Sequence, residues 1–238
     1  MSCVFYGDDY SDDKIIVYAY EASTGMNLKK FITSIPLAIL LIMCCYHFLD
    51  EGIALFVKRV LMSGKHSSLF SADIPDFLPF FVFIITALAW VLYFHDKRKG
   101  IDDIRRAFSL LVGTSLPMAF LIKSILKFVF GGITTRFWLA SPVAREFHWF
   151  HGVDYYSGFP SGHMAVFTAI FLDLRKYYPR CRPVCGGLIF LMALALILTN
   201  YHFISDLVAG AYLGYVIYYF ADRGLTLLHK SRDEIDKG

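Results

Sequence analysis

Charge is scarce in this chain: only 18% of its 238 residues are Asp, Glu, Lys or Arg, against 57% hydrophobic. A soluble domain of this length needs more polar surface than that to cover its core, so a water-soluble globule is excluded. The formal net charge of +3 is small, and no basic tract is interleaved with aromatics in a polar setting. Nucleic acid is therefore not an expected partner. Cysteine is also sparse and odd in number, with five residues at Cys3, Cys44, Cys45, Cys181 and Cys185, which is a poor disulfide framework. No His joins Cys181 and Cys185 in a tetrahedral set, so we read them as ordinary thiols and expect no metal. The stretch through Met26 carries Asp8, Asp9, Asp12 and Asp13. It lacks a basic start followed by an apolar core, so we do not expect a cleaved signal peptide. Internal repeats and low-complexity stretches are missing.

What is abundant is apolar sequence, with a mean hydropathy of +0.53. A helix needs about 20 apolar residues to cross the hydrocarbon of a bilayer. Six runs approach that length: Phe31–Leu49, Phe77–Tyr93, Phe108–Leu126, Met164–Leu174, Val184–Thr199 and Ile204–Phe220. The fourth is short as an apolar run and extends backward through Ser161, Gly162 and His163. The segment Gly52–Met62 contains Lys58 and Arg59 and is expected to lie in the membrane interface. The fold class is therefore an all-α membrane protein, a bundle of about six transmembrane helices. We divide it into a cytoplasmic N-terminal segment (1–30), the membrane domain (31–222) and a cytoplasmic C-terminal tail (223–238).

Lys and Arg concentrate at the N-terminus, in the second and fourth connections (Lys97 to Arg106, Arg175 to Arg182) and after Arg223. That side is expected to be cytoplasmic, with both termini there. The opposite face collects three polar clusters. The first closes the third run, from Lys127 through Gly131-Gly132 to Arg136. Alone, two cations at a span end are ordinary snorkelling. The second is Gly158-Phe-Pro-Ser-Gly-His163, which opens the fourth run. Pro160 suits a helix start and Ser161 a cap, and the first turn offers backbone N–H groups to phosphate oxygens. His163 sits in that turn, where it can protonate a departing oxygen. The third is Asn200-Tyr-His-Phe-Ile-Ser-Asp206, with His202 and Asp206 at i and i+4 on one helix face. A carboxylate bonded to one imidazole nitrogen leaves the other with a lone pair, an activated nucleophile. Ionisable residues at membrane depth are costly and more often functional than decorative. Together the clusters supply charge neutralisation, a nucleophile and an acid, the parts that phosphoryl transfer needs.

With Pro160-Ser161-Gly162-His163 as a central motif and His202 through Asp206 to Gly210 as the end of another, the stretch from Lys123 to Phe220 resembles the type 2 phosphatidic acid phosphatase superfamily of integral-membrane lipid phosphatases. The resemblance implies a metal-independent, cofactor-free reaction on a lipid phosphate. His202 is the implied nucleophile, Asp206 holds its tautomer and His163 is the acid. Lys127, Arg136, Ser161 and the backbone at Gly162 are the implied phosphate holders. Two positions depart from the family pattern. The Arg expected seven residues after Lys127 is Thr134, and Arg136 arrives two residues late. The Arg expected six residues before His202 is Leu196, which leaves Arg145, His148 and His151 in the long loop as substitutes. The missing Arg keeps open a second activity, a sphingomyelin-synthase-like transfer of the head group to another lipid. The expected setting is a bacterial cell (inner) membrane, with the site on the periplasmic face and membrane lipids around it.

Overall fold

The computed structural model describes residues 28–61, 77–101, 103–141, 143–152 and 154–235. Cys3, Lys14, Lys65, the acidic N-terminal stretch and the side chains beyond Leu227 lie outside the described residues. The described part is helical, without a strand, in seven helices: α1 (Leu28–Leu61), α2 (Leu78–Arg98), α3 (Ile104–Phe130), α4 (Thr135–Ala140), α5 (Gly162–Tyr177), α6 (Arg182–Leu198) and α7 (Ile204–Ile235).

Local signals set the helix ends. Asp103 caps α3 by accepting the Arg106 amide at 3.1 Å, and Gly131 terminates it in the left-handed region with φ 55°. Prolines sit in the first turns of α2 and α6, where a missing N–H costs nothing. The first expected span is longer than the apolar run indicated. A π-helical turn at Cys45–Leu49 re-phases the helix, which continues as Asp50–Leu61. The described part of Gly52–Met62 is thus a continuation of α1 and not a separate interfacial element. There Lys58 Nζ donates to the Leu139 carbonyl at 2.6 Å.

Among the described residues five helices are long and apolar enough to cross a membrane: α1, α2, α3, the stretch Pro179–Leu198 that contains α6, and Ile204–Leu227 of α7. The fourth expected span, α5, has 16 residues and does not reach that length. Its position accounts for this. Helix α5 packs against α3, α6 and α7, with Met164, Ala165, Val166 and Ala169 buried among them. A helix walled by protein does not need a lipid-compatible surface. By contrast, α1, α2 and α6 expose large apolar side chains such as Leu37, Phe83 and Phe190 on their outer faces, as lipid contact requires. The last helix runs on to Ile235, into the segment assigned to a tail.

The core joins α2, α3, α5 and α7 through Val82, Leu116, Val166 and Ile217. Helices α5 and α7 meet along a seam of small residues, Gly210 and Gly214. At the site end, the loop after α4 folds back over the end of α3. His148 N–H donates to the Gly131 carbonyl at 3.1 Å and Gly158 N–H to Gly132 at 2.7 Å. A methyl group on Gly131 would lie 2.0 Å from the His148 oxygen, so close approach as well as positive φ demands glycine there.

Candidate active site

Three helix ends converge: the C-terminus of α3 and the N-termini of α5 and α7. The sequence expectation of His202 and Asp206 stacked on one helix face is altered in detail. His202 precedes α7 by two residues, and Asp206 lies in its first turn. Asp206 Oδ2 accepts the Phe203 amide at 3.1 Å, reaching back across the helix start as the acidic partner of a capping box does. The same oxygen stands 3.4 Å from His202 Nδ1. His202 is 5% exposed and Asp206 3%, so this pair interacts with little screening by water. With Nδ1 turned to the carboxylate, Nε2 is the nitrogen that can act on a substrate.

On the facing side, Ser161 is the N-cap of α5 and its Oγ accepts the Met164 amide at 3.4 Å. Its own N–H donates to the Asp206 carbonyl at 3.0 Å, which ties the two helix starts backbone to backbone. The amides of Gly162 and His163 belong to the first turn and have no partner inside the helix. His163 follows, with its ring centroid 6.5 Å from that of His202. In-line displacement sets the attacking atom about 3–3.5 Å from phosphorus before reaction, with the leaving oxygen still bonded on the opposite side. The two rings border one small space in which such a group could sit.

The cations arrive from two directions. Arg136, displaced by two residues from the family position, lies in the first turn of α4 with its guanidinium carbon 5.1 Å from the centre of the Tyr201 ring. Tyr201 in turn lies 5.6 Å from His163 and 5.1 Å from His202. The extra residues are therefore absorbed by a turn of helix, and the charge stands beside Tyr201, whose ring borders both imidazoles. Lys127 sits in the last turn of α3 and acts electrostatically on Asp206.

One cation escapes a reading by motif. Lys123 falls inside the third apolar run of the sequence; it is only 6% exposed, and its aminobutyl chain lies against Gly162. A methyl group on Gly162 would stand 3.0 Å from Lys123 Cδ and 3.4 Å from Nζ. Lys123 thus brings an ammonium to the first turn of α5. Its signal in the sequence was the i, i+4 spacing to Lys127, which stacks two lysines on one helix face.

The loop substitutes behave differently. His148 packs its ring 4.1 Å from Tyr156, and His151 Nδ1 lies 2.9 Å from the Trp149 carbonyl; both are exposed. Arg145 lines a small cavity together with Asp206, but its side chain is engaged with Asp50. Leu196 is buried against Met164 and Leu207, so the position of the family Arg is here part of an apolar contact. Among the described residues no three His, Cys, Asp or Glu side chains form a set that could hold a metal ion. Cys44, Cys45, Cys181 and Cys185 are free thiols.

Comparison with known proteins gives two findings. The sequence profile of the PAP2 superfamily matches residues 106–226. Among solved structures the chain is similar to the crystal structure of a transmembrane PAP2-type phosphatidylglycerolphosphate phosphatase from Bacillus subtilis. That similarity has 15% identity, covers 91% of this chain and 96% of that one, and has a TM-score of 0.32. No curated protein matches.

Proposed function

Because the chain belongs to the PAP2 superfamily, we propose that it is a membrane lipid-phosphate phosphatase, hydrolysing a phosphomonoester or diphosphate of a lipid through a phosphohistidine. The observation that carries this reading is the buried His202–Asp206 pair, 3.4 Å apart, facing His163 across the first turn of α5. His202 Nε2 attacks phosphorus and the P–O bond to the lipid breaks. His163 supplies the proton that the leaving oxygen takes up. Water then attacks the phosphohistidine, giving its proton to His163 as the P–N bond breaks, and inorganic phosphate leaves. Asp206 stabilises the imidazolium of His202 throughout.

Lys123, Lys127, Arg136, Ser161 and the amide of Gly162 hold the phosphate oxygens. No metal or cofactor takes part. Lys123 compensates for the arginine that Leu196 replaces, since it brings a positive charge to the same phosphate cradle from α3. Replacing Lys123 by Met keeps most of its packing and removes one charge-assisted contact. The expected result is a loss of about 10- to 100-fold in kcat/KM, the equivalent of roughly 1.5–3 kcal/mol. Unchanged kcat/KM in a folded Lys123→Met protein would remove Lys123 from the site.

The site faces the non-cytoplasmic side of a bacterial cell membrane, with both termini cytoplasmic. Arg98, Arg105, Arg175 and Arg182, in the helix ends opposite the site, support that orientation. Leu196 favours a second reading, head-group transfer to an acceptor lipid, in which an alcohol replaces water at the phosphohistidine. Both are tested by inorganic phosphate release from a panel of lipid phosphates by detergent-purified protein in EDTA. Release is expected without an added acceptor. Release that EDTA abolishes and added metal restores would overturn the metal-free mechanism. Transfer seen only when diacylglycerol or ceramide is supplied would establish the transferase instead.

A further inference from the structure

The stretch before residue 106 lies outside the family match, yet it contributes a carboxylate to the surroundings of the site. Asp50, at the junction between the π turn and the second half of α1, has a fully buried side chain. It accepts the Ser205 amide at 2.9 Å and the Ser205 hydroxyl. Its other partner is Arg145 Nη2, at 2.7 Å. Arg145 donates through Nη1 to the Tyr46 carbonyl at 3.1 Å, and the Tyr46 hydroxyl donates to the Arg145 carbonyl. The guanidinium carbon lies over two rings, 4.2 Å from the centre of Tyr46 and 4.0 Å from that of Phe203.

The hydrogen bonds and the ring contact that this cluster makes at the start of α7 fall on neighbours of the reacting pair. Ser205 precedes Asp206, and Phe203 follows His202. The first turn of α7 leaves amides without helical partners. Two carboxylates take them: Asp206 accepts from Phe203, and Asp50 accepts from Ser205. Negative charge is favoured at that end of the helix, and Arg145, its side chain 7% exposed, balances the second carboxylate. A buried ion pair is a weak source of net stability, but removing one partner strands the other charge. The pair therefore fixes geometry more than it stabilises the fold. The same contacts set Arg145 apart from the missing phosphate-binding Arg: both of its terminal nitrogens already donate, one to Asp50 and one to the Tyr46 carbonyl.

We infer that Asp50 and Arg145 are positioning residues, a buried pair that holds the first turn of α7 so that Asp206 and His202 stay in register for attack on phosphorus. This rests on the phosphatase reading of the site. The test compares Asp50→Asn, Arg145→Gln, Ser205→Ala and the double variant Asp50→Asn with Arg145→Gln, using a short-chain phosphatidic acid in detergent. Rates are normalised to monodisperse protein. Misplacement of a reacting group by about 1 Å costs on the order of 100-fold, so each charge variant is expected to lose roughly 10- to 100-fold in kcat with little change in KM. Ser205→Ala keeps the charges paired and is expected to lose only a few-fold. The double variant, which strands no charge, is expected to recover part of the loss of either single one. A rise in KM at unchanged kcat would make Arg145 a phosphate contact and overturn the inference, as would full kcat in both single variants.

Orthovanadate, which adopts the geometry of the transferring phosphoryl group, separates this inference from the phosphatase reading. Its affinity, read as protection against thermal unfolding, is expected to weaken about tenfold in Arg145→Gln and to recover in the double variant. If wild type turned over no lipid phosphate but vanadate followed that pattern, the phosphatase reading would fail and the positioning role would stand. Equal vanadate affinity in all variants would overturn the positioning role whatever the substrate.

Discussion

His202→Ala is expected to lower phosphate release by at least about 10⁴-fold, because removing the nucleophile of a catalytic unit costs about as much as removing the unit. No neighbouring group can stand in. His163 is the nearest other imidazole, with its ring 6.5 Å away on the far side of the cradle, and it cannot both attack and protonate the leaving oxygen. Tyr201 lies 5.1 Å from His202, but a neutral phenol is a poor nucleophile. The residual rate should reflect electrostatic stabilisation by the cations alone. The loss must be separated from unfolding, since His202 is buried and its truncation leaves a cavity. Asp206→Asn provides that check. It preserves volume and can still bond to His202, but it loses the charge that sets the imidazole tautomer, so a loss of about 10³- to 10⁴-fold is expected. The measurement is phosphate release from the best substrate of the panel, alongside trapping of an acid-labile, alkali-stable phosphoenzyme. The wild type and His163→Ala should accumulate that species and His202→Ala should not. Wild-type turnover in a well-folded His202→Ala protein would sink the phosphohistidine mechanism.

How much of this was legible in the sequence depended on what each residue had to satisfy locally. Helices α1, α2, α3, α6 and α7 were legible because lipid imposes apolar side chains all along a lipid-facing surface. Helix α5 was half hidden, since its neighbours are protein and its composition is free to be mixed. The motif residues were legible by type and spacing. Their geometry was not, because the capping of α7 by Asp206 places His202 outside the helix and not one turn below its partner. Arg136 was legible as a cation out of register, and only the helical turn of α4 shows how it still reaches Tyr201. Lys123 was masked by its apolar neighbours. Asp50 was the least legible of all. Its hydrogen-bond partner is 155 residues away in the chain, and no local pattern marks a contact of that range.

Gly210→Ala is the second large effect expected, and it tests the geometry independently of the chemistry. A methyl group there would lie 2.4 Å from the Ser161 backbone oxygen, 3.0 Å from Met164 Cβ and 3.1 Å from Ser161 Cβ. The obstacle at 2.4 Å is backbone, so no rotamer change relieves it and the helix starts must separate. Ser161 is also where α5 and α7 are tied, through its N–H to the Asp206 carbonyl at 3.0 Å. One turn further along, a methyl group on Gly214 would likewise lie 2.4 Å from the Ala165 carbonyl oxygen, so the helices are in close contact there too and have little room to tilt. Replacing a helical Gly by Ala ordinarily gains about 1 kcal/mol, whereas overpacking costs about 1–3 kcal/mol; the clash wins. A shift of about 1 Å between His163 and His202 should lower kcat/KM by roughly 100-fold. Gly186→Ala in α6 is the control. Nothing lies within 4 Å of the added methyl, so activity should be unchanged and the melting temperature equal or higher. Full activity in Gly210→Ala would mean that the seam yields without moving the imidazoles, and that the spacing of the two helix starts does not set the rate.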